Sequence, residues 1–338
     1  MIINSKNDER HIVFITDDNY VIPTKVVITS LISNVSSQKG YKYVVHICTF
    51  GINEENKYLL ENCSNDNVKV LIKVIDESFY ADKFSKINQK SHVTPAALIK
   101  FDLCKLFPNI DELLYLDSDI IINKSLDSLY DFDITNYYLA ASYELWEYLL
   151  ALYKYKKTAV GKPEFYFNSG VMLFNLKKLR EDKISDKFWD IKFTKFNDPN
   201  ARKQCMDQDT LNAVCARNCV QLPIKYNCNC IFTDGYDINN INYIYGTNYA
   251  NGKELIDDAV IIHYVGKTDK PWKYEDARCR DIWDSYYEKA GFSISELNRI
   301  IIKKDFRYYI SRIKVSLSER GLLSTIKYIL DKGKKGTW

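Results

Sequence analysis

Residues 113–122 read Leu-Leu-Tyr-Leu-Asp-Ser-Asp-Ile-Ile-Ile, an apolar run broken only by Asp117, Ser118 and Asp119. A run of this kind fits a strand covered on both faces, which requires helices or further sheet on either side. A carboxylate in such surroundings needs a cation, a hydrogen-bond donor or water. In an extended chain Asp117 and Asp119 project to the same side. There they can grip one hard divalent ion and leave positions on it open for phosphate oxygens. The competing reading is a turn or a helix cap, continued by Ser125 or Asp127.

The segments before this run alternate. Residues 11–16, 43–48 and 68–75 carry strand signals, while 26–35, 53–62 and 94–107 carry helical apolar spacing. Strand and helix in turn over the first 120 residues indicate a largely parallel α/β sheet. The first strand runs out into Asp17-Asp18-Asn19-Tyr20, and such exits are where doubly wound sheets place ligands. No Gly-x-Gly-x-x-Gly follows it, and no Walker-type phosphate loop is present in the sequence.

Composition narrows the classes. With 338 residues, 46% hydrophobic and 27% charged, the chain suits one large α/β domain or two smaller ones. A net charge of +3 gives no electrostatic reason to expect nucleic acid. Nine cysteines lie too dispersed for a disulfide framework. Cys215 with Cys219, and Cys228 with Cys230, lack the paired spacing of a structural zinc site. Without a secretory leader, reduced thiols in a cytoplasmic protein are the expectation. No apolar run is long enough to cross a bilayer.

Further along, Phe165-Tyr166-Phe167-Asn168-Ser169-Gly170 reads as an aromatic stretch with a glycine-containing break before a buried strand ending at Asn175. One amphipathic helix is expected over 176–189, and another after Met206-Asp207-Gln208-Asp209, whose acids suit a helix N-terminus. Residues 260–266 read as a late strand ending in His263, with Lys270-Pro271-Trp272 close behind. From about residue 291 lysines and arginines interleave with isoleucines and leucines. That pattern suits either a helix on an anionic membrane surface or an ordinary surface helix. The expected division is a catalytic domain over 1–290 and a basic amphipathic helical extension over 291–338.

Singly, these motifs all have structural explanations as turn formers, loop amides or a buried histidine. Their order is more informative: Asp-Asp-Asn-Tyr at 17–20, Asp-x-Asp at 117–119, Phe-Asn-Ser-Gly at 167–170, Asp-Gln-Asp at 207–209, then His263-x-x-Gly266 and Lys270-Pro271-Trp272. Over roughly residues 10–285 this resembles bacterial glycosyltransferase family 8, the lipopolysaccharide galactosyl- and glucosyltransferase-like group. The resemblance implies the GT-A fold, a Rossmann-like mixed sheet flanked by helices.

It also implies roles. Ile15, Asp17, Asn19 and Tyr20 would form the uridine edge. Asp117, Asp119 and His263 would hold Mn²⁺ (or Mg²⁺) across the phosphates of a UDP-sugar, with Ser118 in the same donor-binding set. Gly266 and Lys270 would close over the diphosphate, and Asn168, Gly170, Asp207 and Gln208 would surround the donor sugar. The chemistry would be retaining transfer of galactose or glucose to a hydroxyl of a glycan or lipid-linked oligosaccharide. Asp207 and Gln208 would be catalytic, by front-face attack with Gln208 stabilising the cation, or through a covalent intermediate. The setting would be cell-surface polysaccharide or lipooligosaccharide synthesis, in the cytoplasm or peripherally on the cytoplasmic face of the membrane.

Two departures stand out. Lys100 occupies the place of a family arginine and loses the planar bidentate fork. The loop from Gly266 to Lys270 is one residue longer than the family pattern, which brings Lys267 into play for phosphate. An aromatic segment over 140–162, with Tyr143, Trp146, Tyr148, Tyr153 and Tyr155, suits either acceptor stacking or a packed helix. The rival functions are a metal-dependent nucleotidyltransferase, which would need a glycine-rich phosphate loop, and a non-catalytic sugar-binding protein.

Overall fold

The computed structural model describes residues 9–36, 40–87, 95–145, 165–198, 207–234 and 237–302. Most of the basic tail, the aromatic segment beyond Leu145, Met206 and Thr94 lie outside these residues. Strands β1 (Glu9–Ile15), β2 (Lys42–Thr49), β3 (Val68–Val74), β4 (Glu112–Leu116), β6 (Leu139–Tyr143), β7 (Phe167–Asn175) and β8 (Cys219–Gln221) form one sheet, in the order β3-β2-β1-β4-β7-β6-β8. The first four in chain order are parallel, as expected; β7 runs antiparallel to both β4 and β6, making the sheet mixed. Strands β5 (Ile120–Ile122), β9 (Cys228–Asn229) and β10 (Ile261–His263) form a second, three-stranded sheet.

Both faces of the large sheet are covered, which explains the apolar strands. Ile12, Phe14, Val45, Ile47, Leu114 and Leu116 enter one core, while Val13, Leu113, Tyr115, Met172 and Phe174 enter another. The alternation is the two-residue period of a strand. A third core gathers Ile121, Cys228, Ile262, Tyr264 and Trp283 around the small sheet.

Four expectations are corrected. The run at 113–122 is two strands: the main chain leaves the large sheet at Asp117 and enters the small one at Ile120, so the acids do not lie on one extended strand. The break expected at Gly170 is a shift in pairing within one continuous strand: β7 runs from Phe167 to Asn175, and its register with β6 slips between Ala141 and Tyr143 opposite this segment. The helix expected over 176–189 is two, Leu176–Glu181 and Ile184–Lys195, separated where Lys183 takes φ +52°. The segment expected as a helix over 94–107 is a 3-10 helix, Pro95–Asp102, followed by one α turn, Leu103–Leu106. Leu98 through Cys104 are all buried, so no solvent-facing side exists for an amphipathic helix to present.

The second half of β7 is tied by its ladder, its first residue by a side chain. Asn212, buried on helix Gln208–Cys215, accepts from Phe167 N–H (2.7 Å) and donates to Phe167 C=O (2.9 Å). Asn212→Ala strands both backbone groups, and is expected to destabilise the protein by about 2 kcal/mol. The urea unfolding midpoint measures it.

Candidate active site

The site lies where β1 and β4 end side by side, at the point where connections depart to opposite sides of the sheet. A cavity of about 540 Å³ opens there, lined among others by Ile15, Asp17, Tyr20, Lys100, Tyr115, Asp117, Ser118, Asp119, Ser169 and Asp207.

Asp117 and Asp119 belong to different sheets. Asp117 N–H extends the β4–β7 ladder by donating to Gly170 C=O (2.8 Å), whereas Asp119 C=O accepts from Tyr264 N–H (2.9 Å) beside β10. Ser118 is the joint, buried with its hydroxyl 2.9 Å from that of Thr24 on helix Val21–Ser33. His263 arrives on β10, antiparallel to β5. Its Nε2 is 3.2 Å from Asp119 Oδ1 and 3.9 Å from Asp117 Oδ2. One ligand atom from each of the three residues lies within 4.8 Å of the others. These are oxygen and imidazole donors, the set that suits Mn²⁺ or Mg²⁺. The donor chemistry therefore fits a divalent ion.

The other oxygens are committed. Asp117 Oδ1 accepts from Tyr115 OH (2.6 Å), and burial with the nearby acids pushes the Tyr115 phenol far up, so it stays a donor. Lys270 pairs with Asp119 Oδ2 and donates to Tyr264 C=O (2.6 Å). Burial alone would raise the Asp119 carboxyl; Lys270 and His263 outweigh it and hold the group well below the usual range.

Behind the acids sits a buried ion pair. Lys100 Nζ donates to Asp207 Oδ2 (2.5 Å) and lies 3.5 Å from Asp117 Oδ1 and 3.3 Å from Ser169 C=O. Burial works against both charges, yet each keeps the other ionised: Lys100 is raised, Asp207 lowered. Asp207 also accepts from Ser169 Oγ (3.1 Å). Gln208 Oε1 accepts from Ser169 N–H (2.9 Å).

Gly170 is required where it stands. A Cβ there would meet His263 Cε1 at 2.4 Å and Asp117 Oδ2 at 2.7 Å. Asn168 Oδ1 accepts from Gly170 N–H (2.9 Å) across the same turn of β7. Tyr20 stands edge-on to Trp272 with ring centroids 6.0 Å apart. Asp17 accepts from Asn19 N–H (3.0 Å), while the Asn19 side chain is outside the cavity lining. Gly266 is exposed, at φ +102°, and is likewise outside the lining. Sequence reasoning missed Tyr115, Thr24, Ser169 and Asn227. Tyr115 carried a signal, being two residues before Asp117 on an apparent strand.

Two outcomes follow from this geometry. Gly170→Ala is expected to force Asp117 and His263 apart, so that a divalent ion held between them would bind at least about tenfold more weakly; titration followed by the free Mn²⁺ resonance reads it. Asp207→Ala leaves the Lys100 ammonium buried, at about 3 kcal/mol. Because folding depresses Asp207, its share of stability is present above the ordinary carboxylate pKa near ~4 and is lost as pH falls through the depressed value. The urea midpoints of wild type and variant should therefore differ at neutral pH and converge as the pH falls below the carboxylate range.

Comparison with known proteins addresses the family and the fold. Residues 11–276 match the family model described as glycosyl transferase family 8. A Haemophilus influenzae protein provisionally named a glycosyltransferase is 32% identical over 206 residues, 61% of this chain and 59% of that protein, so under two thirds of its length is spanned. An Escherichia coli lipopolysaccharide 1,2-glucosyltransferase is 28% identical over 94% of this chain and 89% of its own. The galactosyltransferase LgtC, solved with donor and acceptor sugar analogues, superposes with a TM-score of 0.63 at 22% identity, covering 85% of this chain and 98% of LgtC. That likeness establishes the GT-A fold. With its family model covering residues 11–276, the chain belongs to glycosyl transferase family 8, and is a glycosyltransferase.

Proposed function

We propose that this chain transfers galactose or glucose from a UDP-sugar to a hydroxyl of a glycan acceptor, with retention of configuration and with a divalent cation at Asp117, Asp119 and His263. The observation that carries the reading is the convergence of two carboxylates and one imidazole within 4.8 Å of one another, beside a cavity of about 540 Å³ that Asp117 and Asp119 line. Oxygen and imidazole donors so grouped are a set that a hard divalent ion takes.

Each neighbouring residue then has a task. Asp17 and Tyr20, at the exit of β1, offer a carboxylate and a ring face for a base. Lys270 places an ammonium beside Asp119, where diphosphate oxygens would be neutralised as the sugar–oxygen bond breaks. A bound Mn²⁺ or Mg²⁺ supplies Lewis-acid stabilisation of that leaving group. Lys100 and Asp207 give the sugar end of the cavity a fixed cation and anion, 2.5 Å apart. Gln208, buried beside Ser169, is the reading's candidate for stabilising positive charge on the sugar. Its amide is a poor nucleophile, which favours front-face attack.

The Escherichia coli relative's name supports a lipopolysaccharide-like or other cell-surface glycan as acceptor, made in the cytoplasm or at the inner face of the membrane. Among the described residues no helix is long and apolar enough to cross a membrane. Membrane contact, if made, falls to the basic tail.

The test is UDP release from a panel of UDP-sugars with Mn²⁺, for wild type and Asp119→Ala. One donor is expected to be turned over, with loss of about a thousandfold or more in the variant. No turnover of any UDP-sugar, with no Mn²⁺-dependent UDP binding, overturns the reading.

A further inference from the structure

Asn227 belongs to none of the motifs above, yet it is buried against the metal-site histidine. It follows the 3-10 turn Ile224–Tyr226 and leads into β9, the strand parallel to β10. Its Oδ1 is 2.8 Å from His263 Nδ1, and its Nδ2 donates to Asn168 Oδ1 (2.9 Å). Asn168 Nδ2 donates in turn to Glu144 Oε2 (2.7 Å).

The polarity of this chain of amides is fixed from its far end. Gly170 N–H is a backbone group and can only donate, so the Asn168 atom 2.9 Å from it is the oxygen. The Glu144 carboxylate, an acceptor, fixes the other end of the same amide. Asn227 must therefore present its NH₂ to Asn168 Oδ1 and its oxygen to His263. An oxygen facing Nδ1 requires the proton there. In the neutral ring, Nε2 is then left with its lone pair, directed at the space shared with Asp119 Oδ1 and Asp117 Oδ2.

We infer that Asn227 is a positioning residue that sets the tautomer and ring orientation of His263, through a relay running Glu144–Asn168–Asn227–His263 and oriented by Gly170 N–H. The inference rests on the proposed divalent-cation site. A metal-ligating imidazole is regularly oriented by an acceptor on its other nitrogen, and loss of such a partner typically weakens metal binding about 10- to 100-fold. Here the acceptor is a neutral amide that is itself held by a second amide, so the ring is oriented without adding a third carboxylate to the cluster. Glu144 lies at the far end of the relay, immediately after the last residue of β6. The relay thus links His263 to an aromatic cluster beside Glu144, where the Tyr143 ring centroid lies 4.5 Å from that of Phe165 and 5.5 Å from that of Tyr245.

The experiment uses Asn227→Leu, which keeps the shape and removes both hydrogen bonds, and the full-length wild-type protein. Mn²⁺ affinity is measured without donor, by the free Mn²⁺ resonance. Histidine ring ¹⁵N spectra are recorded on the Mg²⁺-loaded wild type; the chain has four histidines, so His263→Gln identifies the signal. The expected results are a proton on His263 Nδ1 and none on Nε2, and a 10- to 100-fold loss of Mn²⁺ affinity in Asn227→Leu. In that variant the Mn²⁺ concentration for half-maximal turnover should rise more than kcat falls. A proton on Nε2 of wild-type His263, or affinity within twofold in a folded Asn227→Leu, overturns the inference while leaving the metal site standing. Absence of Mn²⁺ binding by the wild type overturns the metal site and this inference together.

Discussion

The site depends on the missing side chain at Gly170. Leu116 pairs with Val171 in the β4–β7 ladder, and the next rung is Asp117 N–H on Gly170 C=O. That rung sets Asp117 directly beside a backbone that has no Cβ, and His263 and Asp117 occupy the space a methyl group would fill. Any larger residue would separate a ligand carried by the large sheet from one carried by the small sheet. The two sheets can therefore share a site only because one strand thins to bare backbone where they meet.

Electrostatics explains why the acids tolerate that proximity. Asp117, Asp119 and Asp207 crowd one region, and burial penalises the charges of Asp119 and Asp207. The chain answers with two lysines from distant segments, Lys100 against Asp207 and Asp117, and Lys270 against Asp119. Tyr115 adds a donor and no charge. Each acid keeps oxygen capacity toward the cavity while another part of its carboxylate is anchored. This arrangement holds the groups in place before a ligand arrives.

How much of this was legible in the sequence varied with the range of the interaction. The alternation that gave β1, β2 and β3 is local, and so is the apolar run that announced a covered strand. The acids and His263 each had a structural explanation taken alone, and stood out through the order in which the polar motifs follow the apolar strands. The turn at Asp117–Asp119 was hidden because a run continuing with Ile120, Ile121 and Ile122 looks the same whether it stays in one sheet or changes sheets. The 3-10 segment was hidden because its shape is dictated by burial on every side and by the Lys100 and Asp102 ion pairs, not by its own periodicity. Asn227 had no local signal at all. Its meaning depends on β9 lying beside β10, a pairing of residues more than thirty apart.

The loop after His263 shows how such long-range ties fix a local segment. Three residues between Gly266 and Lys270 leave the lysine room to wander. The structure removes that freedom at Asp269, which is buried and accepts from both Arg278 Nη1 (2.9 Å and 3.0 Å to its two oxygens) and the Arg278 backbone N–H (3.4 Å). Arg278 is held in turn by Asp234, 2.6 Å away. Gly266, at φ +102°, lets the chain turn back without strain. Lys270 then meets Asp119 from a loop fixed on both sides, while Lys267 stays exposed at its outer edge. The loop thus holds the lysine beside the carboxylate whose charge it offsets.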